Sequence, residues 1–285
     1  MNIPDNIPLP KRPLLAQLVA DLAKIPQMVA VVLGGSYASG LQTAASDLDI
    51  GLYYFEADPF PLEQIRRIAA AISRPGEAPT VTGFYEWGAW VNGGAWIHTE
   101  AGKIDFLYRS LEHVQKTIRE AQSGRYQHDY DQQPSNGFYS LGYLAETQIC
   151  VPLYDPHGWI TRLKQQVQVY PPGLKRKIIQ DALWGTDFTL QHARGFAAKA
   201  DIYNTTGCLV RAAAHLTQAL FAMNERYFLG DKRALATIAA FALVPADYTK
   251  LISGILAHPG ATAAELSASV AQMESAWQAV AALCG

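Results

Sequence analysis

The stretch from Ala30 to Tyr54, AVVLGGSYASGLQTAASDLDIGLYY, constrains this chain more than any other. An apolar run, Met28 to Leu33, stops at Gly34-Gly35-Ser36. Small and polar residues follow, and Ser46-Asp47-Leu48-Asp49 leads into a second apolar run, Ile50 to Tyr54. The pattern reads as strand, glycine turn, short helix, strand. Side chains alternate along a strand, so Asp47 and Asp49 are expected on one face. Two neighbouring carboxylates repel each other unless a cation sits between them. Oxygen ligands on a rigid strand suit Mg²⁺, which completes its shell with water and phosphate oxygens. Gly35 lets backbone approach a ligand closely, and Ser36 opens a helix whose free N–H groups favour a phosphate.

Gly-Ser, a gap of about ten residues, then Asp-x-Asp between apolar residues resembles the nucleotidyltransferase superfamily typified by DNA polymerase β. Its small bacterial members include the aminoglycoside and lincosamide nucleotidyltransferases. The resemblance implies that Gly35 and Ser36 hold the β- and γ-phosphates of ATP or another nucleoside triphosphate. It implies that Asp47 and Asp49 bind two Mg²⁺ ions, with Ser46 orienting Asp47, and that a third carboxylate comes from a later strand. Asp105 is the candidate. In Gly102 to Arg109, Ile104, Phe106 and Tyr108 alternate onto one face, and Asp105, Leu107 and Arg109 onto the other. A lone aspartate in an apolar strand is costly without a partner. An ion pair with Arg109 is the structural alternative. The resemblance makes Asp105 a metal ligand close enough to the acceptor hydroxyl to take its proton.

The rest of the chain supplies the frame. Helices are expected over Pro13–Lys24, Pro61–Ile72, Leu111–Ala121 and Tyr139–Ile149, and strands over Val81–Trp87, Ala95–Thr99 and Gly102–Arg109. Gly124–Gly137 reads as a loop. LYDPHG at 153–158 resembles the junction that ends the catalytic domain in many bacterial members, which gives a nucleotidyltransferase domain over 1–155. The following residues, 156–285, read as an all-helical bundle, with helices near Trp159–Val169, Leu174–Ala198, Asp201–Tyr227, Ala234–Leu243, Ala246–Leu256 and Ala263–Leu283. The fold class expected is therefore α+β, a mixed sheet with flanking helices followed by a helical domain. A cleft between the two would hold nucleotide and acceptor.

In the helical part, FAMNERYFLGDKRAL resembles a segment of small bacterial nucleotidyltransferases. Asn224, Arg226, Tyr227 and Lys232 are candidates to reach the triphosphate or base, as are Lys199, Asp201 and Tyr203 at a helix junction; capped and solvated helix ends are the alternative. Arg211 and His215 are spaced more closely than the ribonuclease motif of helical toxin domains requires, so His215 reads as structural. Trp87 and Trp90 read as core or rim residues rather than base-stacking platforms, His98 has no evident partner, and Glu86 is either an acceptor-side base or a solvated strand end.

Composition limits the substrate. With 23 basic and 25 acidic residues the net charge is −2, without the basic excess of a protein that grips long nucleic acid. Hydrophobic residues make up 49% and charged ones 17%, enough for a substantial core. Three cysteines without a CxxC pair suggest reduced thiols, and with neither a signal peptide nor a membrane-length apolar run the expected location is the cytoplasm. The activity implied is transfer of a nucleoside monophosphate, AMP from ATP, to a hydroxyl of a small molecule such as an aminoglycoside or lincosamide antibiotic. Glu86, Asp129, Asp131, Asp187 and Asp201 are candidates for an acidic acceptor cleft. The alternatives are a toxin–antitoxin-type enzyme that modifies a protein or tRNA, and a nucleotide-binding module without turnover. A homodimer is common among antibiotic-modifying relatives; the alanine-rich C-terminal helices could form its interface or be interior.

Overall fold

The structure is a computed structural model that describes residues 3–284. In chain order it comprises α1 (Arg12–Leu22), β1 (Ala30–Leu33), α2 (Gly35–Ser39), β2 (Leu48–Tyr54), α3 (Leu62–Ile72), β3 (Thr80–Val81), β4 (Gly94–Thr99), β5 (Gly102–Ser110), α4 (Leu111–Gln122), β6 (His128–Asp129), β7 (Phe138–Tyr139), α5 (Leu141–Ile149) and β8 (Val151–Tyr154). Six helices follow: α6 (Trp159–Gln166), α7 (Pro172–Ala197), α8 (Ile202–Met223), α9 (Ala234–Ile238), α10 (Tyr248–Ala257) and α11 (Ala263–Ala282). The class is α+β, a mixed sheet with helices and then a helical region, as the sequence leads one to expect. Contacts divide the chain into Met1–Arg119 with Tyr143–Val169, and Glu120–Gly142 with Tyr170–Gly285. Asp155 lies inside the first unit, because β8 pairs with β1 and Lys164 on α6 donates to the carbonyls of Thr147, Gln148 and Cys150.

The first unit is built on a six-stranded sheet in the order β3-β4-β5-β2-β1-β8. The pair β2–β5 is parallel and its other neighbours are antiparallel. One face carries Val31, Leu33, Leu48, Ile50, Leu52, Ile97, Ile104 and Phe106, all buried with Leu15, Leu18 and Leu22 of α1 and Ile65 and Ala69 of α3. Apolar alternation thus commits this face to the two helices, and removing it from water stabilises the unit. The opposite face carries Asp49 and Asp105 near the starts of β2 and β5 and buries Ala30, Val32 and Tyr53 farther along.

Two expectations need correction here. Val81–Trp87 is not a strand beyond Val81. The Gly83 N–H donates to Glu86 Oε2 (2.6 Å) and the Tyr85 N–H to Asn92 Oδ1 (2.9 Å), with Tyr85 at φ 59°. These side chains compete with the ladder and make a turn. His98 does have a partner, since its Nδ1 lies 2.8 Å from Glu77 Oε2.

In the second unit α7 and α8 fold back on each other through Leu174, Ile178, Ala182 and Leu190 on one helix and Leu209, Ala212, Leu216 and Leu220 on the other, all buried. Residues 124–137, expected as a loop, include β6, which pairs with β7 in a small hairpin. Helix α9 stops at Ile238, short of the expected Leu243. The Asn224 amide accepts from the Leu243 N–H and donates to its carbonyl (2.9 and 2.8 Å), which holds the segment out of helical register. The buried stripe of α11 (Leu266, Val270, Met273, Ala276, Val280) is interior to its own unit. The described residues include no helix long and apolar enough to cross a membrane.

Candidate active site

The glycine turn after β1 and the start of β2 are locked together. The Gly34 N–H donates to the Asp49 carbonyl (2.8 Å). Gly35 has φ +57°, and a Cβ there would lie 1.8 Å from Asp49 Oδ2. Glycine is required twice over, for its left-handed backbone and because the Asp49 carboxylate occupies the space of a side chain. Ser36 follows directly, as the second residue of the one-turn helix α2.

Asp49 and Asp105 are direct partners in the parallel β2–β5 register, so they share the polar face of the sheet. Asp47 stands just before β2. Asp47 and Asp105 are joined by Lys103, a residue that no sequence motif singles out. Lys103 Nζ donates to Asp105 Oδ2 at 2.9 Å and to Asp47 Oδ2 at 3.4 Å. Alternation could have found it, because Lys103 is two residues before Asp105 and on its face. Burial, with help from Asp47, raises the Asp105 carboxyl above the ordinary range while Lys103 opposes the shift. Burial pulls the Lys103 ammonium down, but its bond to Asp105 and the charges of Asp105 and Asp47 raise it overall. The two directions agree on a partly desolvated carboxylate held by its lysine.

Asp105 does not pair with Arg109. Four residues along a strand span about 13 Å, and Arg109 makes a two-pronged bond to Glu146 on α5 instead, Nε to Oε2 and Nη2 to Oε1, both at 2.9 Å. Ser46 is also differently engaged than expected. Its hydroxyl accepts from the Thr43 N–H (2.8 Å) and its carbonyl from Lys11 Nζ (2.8 Å), so it pins the loop before β2 rather than orienting Asp47.

Among the described residues no three or more His, Cys, Asp or Glu side chains are gathered closely enough to hold a metal ion; Lys103 draws Asp47 and Asp105 to itself. The donor set nevertheless suits a hard divalent cation. Its ligand atoms are carboxylate oxygens, and Asp105 Oδ1 is buried without a hydrogen-bond partner, an open position that a cation would fill.

The helical candidates separate into two groups. Lys199 and Tyr203 flank the start of α8, and Arg226 and Lys232 follow its end. All four are exposed. A helix of 22 residues spans about 33 Å, so one nucleotide reaches one group or the other. Asp201 caps α8 by accepting from the Asn204 N–H (3.1 Å), and Tyr227 is buried, its ring stacked on Tyr170 at 4.7 Å.

His215 and Arg211 line a cavity of about 320 Å³ with Asp181 and Trp184. Burial, then Arg211 and His128, lower the His215 pKa to about 4, against Asp181. The neutral ring packs on Gly185, with Nε2 buried and unpartnered. A histidine whose folded pKa lies below its unfolded value contributes full stability above about pH 6.5 and loses it as pH falls toward 4. Urea titrations across that window should find wild type losing stability more steeply than His215→Gln. Parallel profiles would remove His215 as the cause.

Residues 15–73 match the nucleotidyltransferase domain family, a span that holds Gly35, Ser36, Asp47 and Asp49 and ends before Asp105. Residues 141–232 match a domain of unknown function, DUF4037. No curated protein matches the chain. A nucleotidyltransferase-like protein from Exiguobacterium sibiricum 255-15 is similar in structure at 10% identity and a TM-score of 0.45, over 94% of this chain and 73% of that one. On residues 15–73 this chain carries a nucleotidyltransferase domain of the DNA polymerase β-like superfamily.

Proposed function

We propose that the protein transfers AMP from ATP to a hydroxyl group of a small molecule, with Asp47, Asp49 and Asp105 as the catalytic carboxylates. One observation carries the reading: Asp49 and Asp105 stand side by side on the polar face of the sheet, with the Gly34-Gly35 turn against Asp49. In this reading the turn's backbone and Ser36 hold the β- and γ-phosphates. Asp105, its carboxyl raised by burial, accepts the proton of the acceptor hydroxyl. The acceptor oxygen bonds to the α-phosphorus as the bond to pyrophosphate breaks, so the products are the adenylylated acceptor and pyrophosphate. Mg²⁺ held by Asp47, Asp49 and Asp105 would supply charge stabilisation at the attacking and leaving oxygens. The net charge of −2 favours a small acceptor such as an aminoglycoside or lincosamide over tRNA.

The experiment is a label chase with α-labelled ATP and Mg²⁺ against separate pools of aminoglycosides and lincosamides, tRNA, and protein extract. Label on a drug supports the reading. Label on tRNA or protein replaces the acceptor class, and pyrophosphate release absent from every pool removes the assignment of turnover.

Lys103 gives a second test that does not depend on turnover. Its ammonium occupies the oxygens that a divalent ion would take, so Lys103→Met should bind Mn²⁺ more tightly than wild type by about tenfold. Paramagnetic resonance titration of free Mn²⁺ without nucleotide measures this. Equal or weaker binding in the variant would mean that Lys103 does not compete for the carboxylates.

A further inference from the structure

Strand β4 buries Ala95, Ile97 and Thr99 and turns Trp96 outward, 49% exposed. A large aromatic on the polar face of a central strand is unusual enough to need a reason. Trp96 is the antiparallel partner of Asp105, and such partners share a face. Its indole therefore borders the candidate carboxylates on the side away from the glycine turn. Across the face the order is turn, Asp49, Asp105, Trp96, one strand spacing at a time.

The indole is also held in place. Trp87 stacks on it with ring centres 4.8 Å apart and planes 22° from parallel. Trp87 lies where Gly94 has no side chain, since a Cβ there would meet Trp87 Cζ3 at 2.9 Å and the Phe106 carbonyl at 1.8 Å. The Trp87 N–H donates to the Asn92 carbonyl (2.8 Å), and buried Asn92 donates from Nδ2 to Tyr54 Oη (2.8 Å). One ring is thus fixed by the turn, and the other is presented to solvent beside Asp105.

We infer that Trp96, backed by Trp87, is the platform on which the acceptor stacks, and that the acceptor is a hydroxylated saturated ring, a pyranose or cyclitol. The inference rests on the function proposed above and names the acceptor's shape. In an in-line displacement the leaving group and the nucleophile lie on opposite sides of the reacting phosphorus. Pyrophosphate at the glycine turn puts the nucleophile on the Trp96 side. The ring–carboxylate spacing then selects the occupant. One strand spacing, about 5 Å, separates the platform from Asp105, so the reacting hydroxyl must radiate from the stacked ring itself. Sugar and cyclitol hydroxyls do so, and the ring's C–H face packs on indole. A stacked nucleobase would hold its hydroxyls a further ring away, and a polynucleotide would bring phosphates to a face lined by Asp47 and Asp105.

The test measures binding of kanamycin, methyl α-glucopyranoside and adenosine to wild type, Trp96→Ala and Trp96→Phe, by tryptophan fluorescence and saturation-transfer NMR, with MgATP affinity measured in parallel. Wild type should bind at least one of the two pyranosides saturably. Trp96→Ala should weaken that binding by about tenfold and Trp96→Phe by no more than about threefold, with MgATP affinity unchanged in both. Trp96→Phe keeps a flat ring, so its rescue stands even if the alanine variant folds poorly. Equal pyranoside binding in Trp96→Ala, or none in wild type, overturns the platform. Loss of adenosine and MgATP binding in Trp96→Ala overturns it too, because the indole would then serve the nucleotide. Failure of the underlying reading is separate: it appears as transfer retained by Asp49→Asn, whatever Trp96 does.

Discussion

Asp49→Asn is expected to lower nucleotidyl transfer at least about a thousandfold while the protein stays folded. The two halves of this expectation have different physical sources. Asparagine keeps the shape of the side chain that rests against the Gly35 backbone, where a Cβ would come within 1.8 Å of Oδ2, so the turn and strand lose no packing. What is lost is one negative charge beside Asp105. Removing it relieves like-charge repulsion with Asp105 in the folded state. It also removes the charge needed to hold a divalent ion at the reacting phosphate. The unfolding midpoint should move by no more than about 2 °C. Pyrophosphate release and α-label transfer, measured with a thermal melt on the same samples, decide the matter. Transfer near the wild-type rate would mean that Asp49 is not a catalytic ligand and would sink the assignment.

What could be read from the sequence follows the range of the interactions involved. Asp47, Asp49 and Asp105 were legible because alternation and spacing are local properties. A strand of period two must put Asp105 opposite the apolar Ile104 and Phe106, whatever packs above it. Lys103 and Trp96 were legible by the same rule, one on the face of Asp105 and the other outward on β4. What alternation does not give is a distance, so the bridge from Lys103 to Asp47 and the register between Trp96 and Asp105 needed the fold. The strand at Val81–Trp87 failed for a different reason. Bonds donated by the backbone N–H groups of Gly83 and Tyr85 to the side chains of Glu86 and Asn92 outcompeted a propensity that looked extended. The helical candidates rest on a resembling segment and on a helix junction, and neither says which end of a 22-residue helix a single nucleotide would reach. Arg109 shows the limit most plainly: its partner, Glu146, lies 37 residues away on a helix, beyond any local pattern.

That pair carries the second large expectation. Glu146→Ala should destabilise the first unit by about 3 kcal/mol, lowering its unfolding midpoint by about 8 °C. Arg109 has only 6% of its side chain exposed. Besides its two bonds to Glu146, its Nη1 donates to the carbonyls of Tyr108 (3.0 Å) and Val91 (3.3 Å), and the guanidinium lies over the Tyr143 ring at 5.4 Å. Burial pulls its pKa down, yet Glu146 and the surrounding groups raise it overall, so the arginine stays charged in the folded protein. Removing the carboxylate leaves that charge buried and uncompensated, which costs more than the pair contributes. Glu146 is 32% exposed, so water softens the loss and the lower end of the usual range applies. The sign of the effect separates pairing from packing. Arg109→Met combined with Glu146→Leu removes both charges and keeps the volume, and it should recover most of the lost stability. If the double variant is as unstable as Glu146→Ala, the cost lies in packing around α5 rather than in an orphaned charge. Arg109 and Tyr53 are register partners on the face that carries Asp49 and Asp105, so the ion pair also ties α5 to the strands that carry those carboxylates. Glu146→Ala should therefore reduce transfer as well, and the double variant should restore both together if the pair acts by holding the sheet.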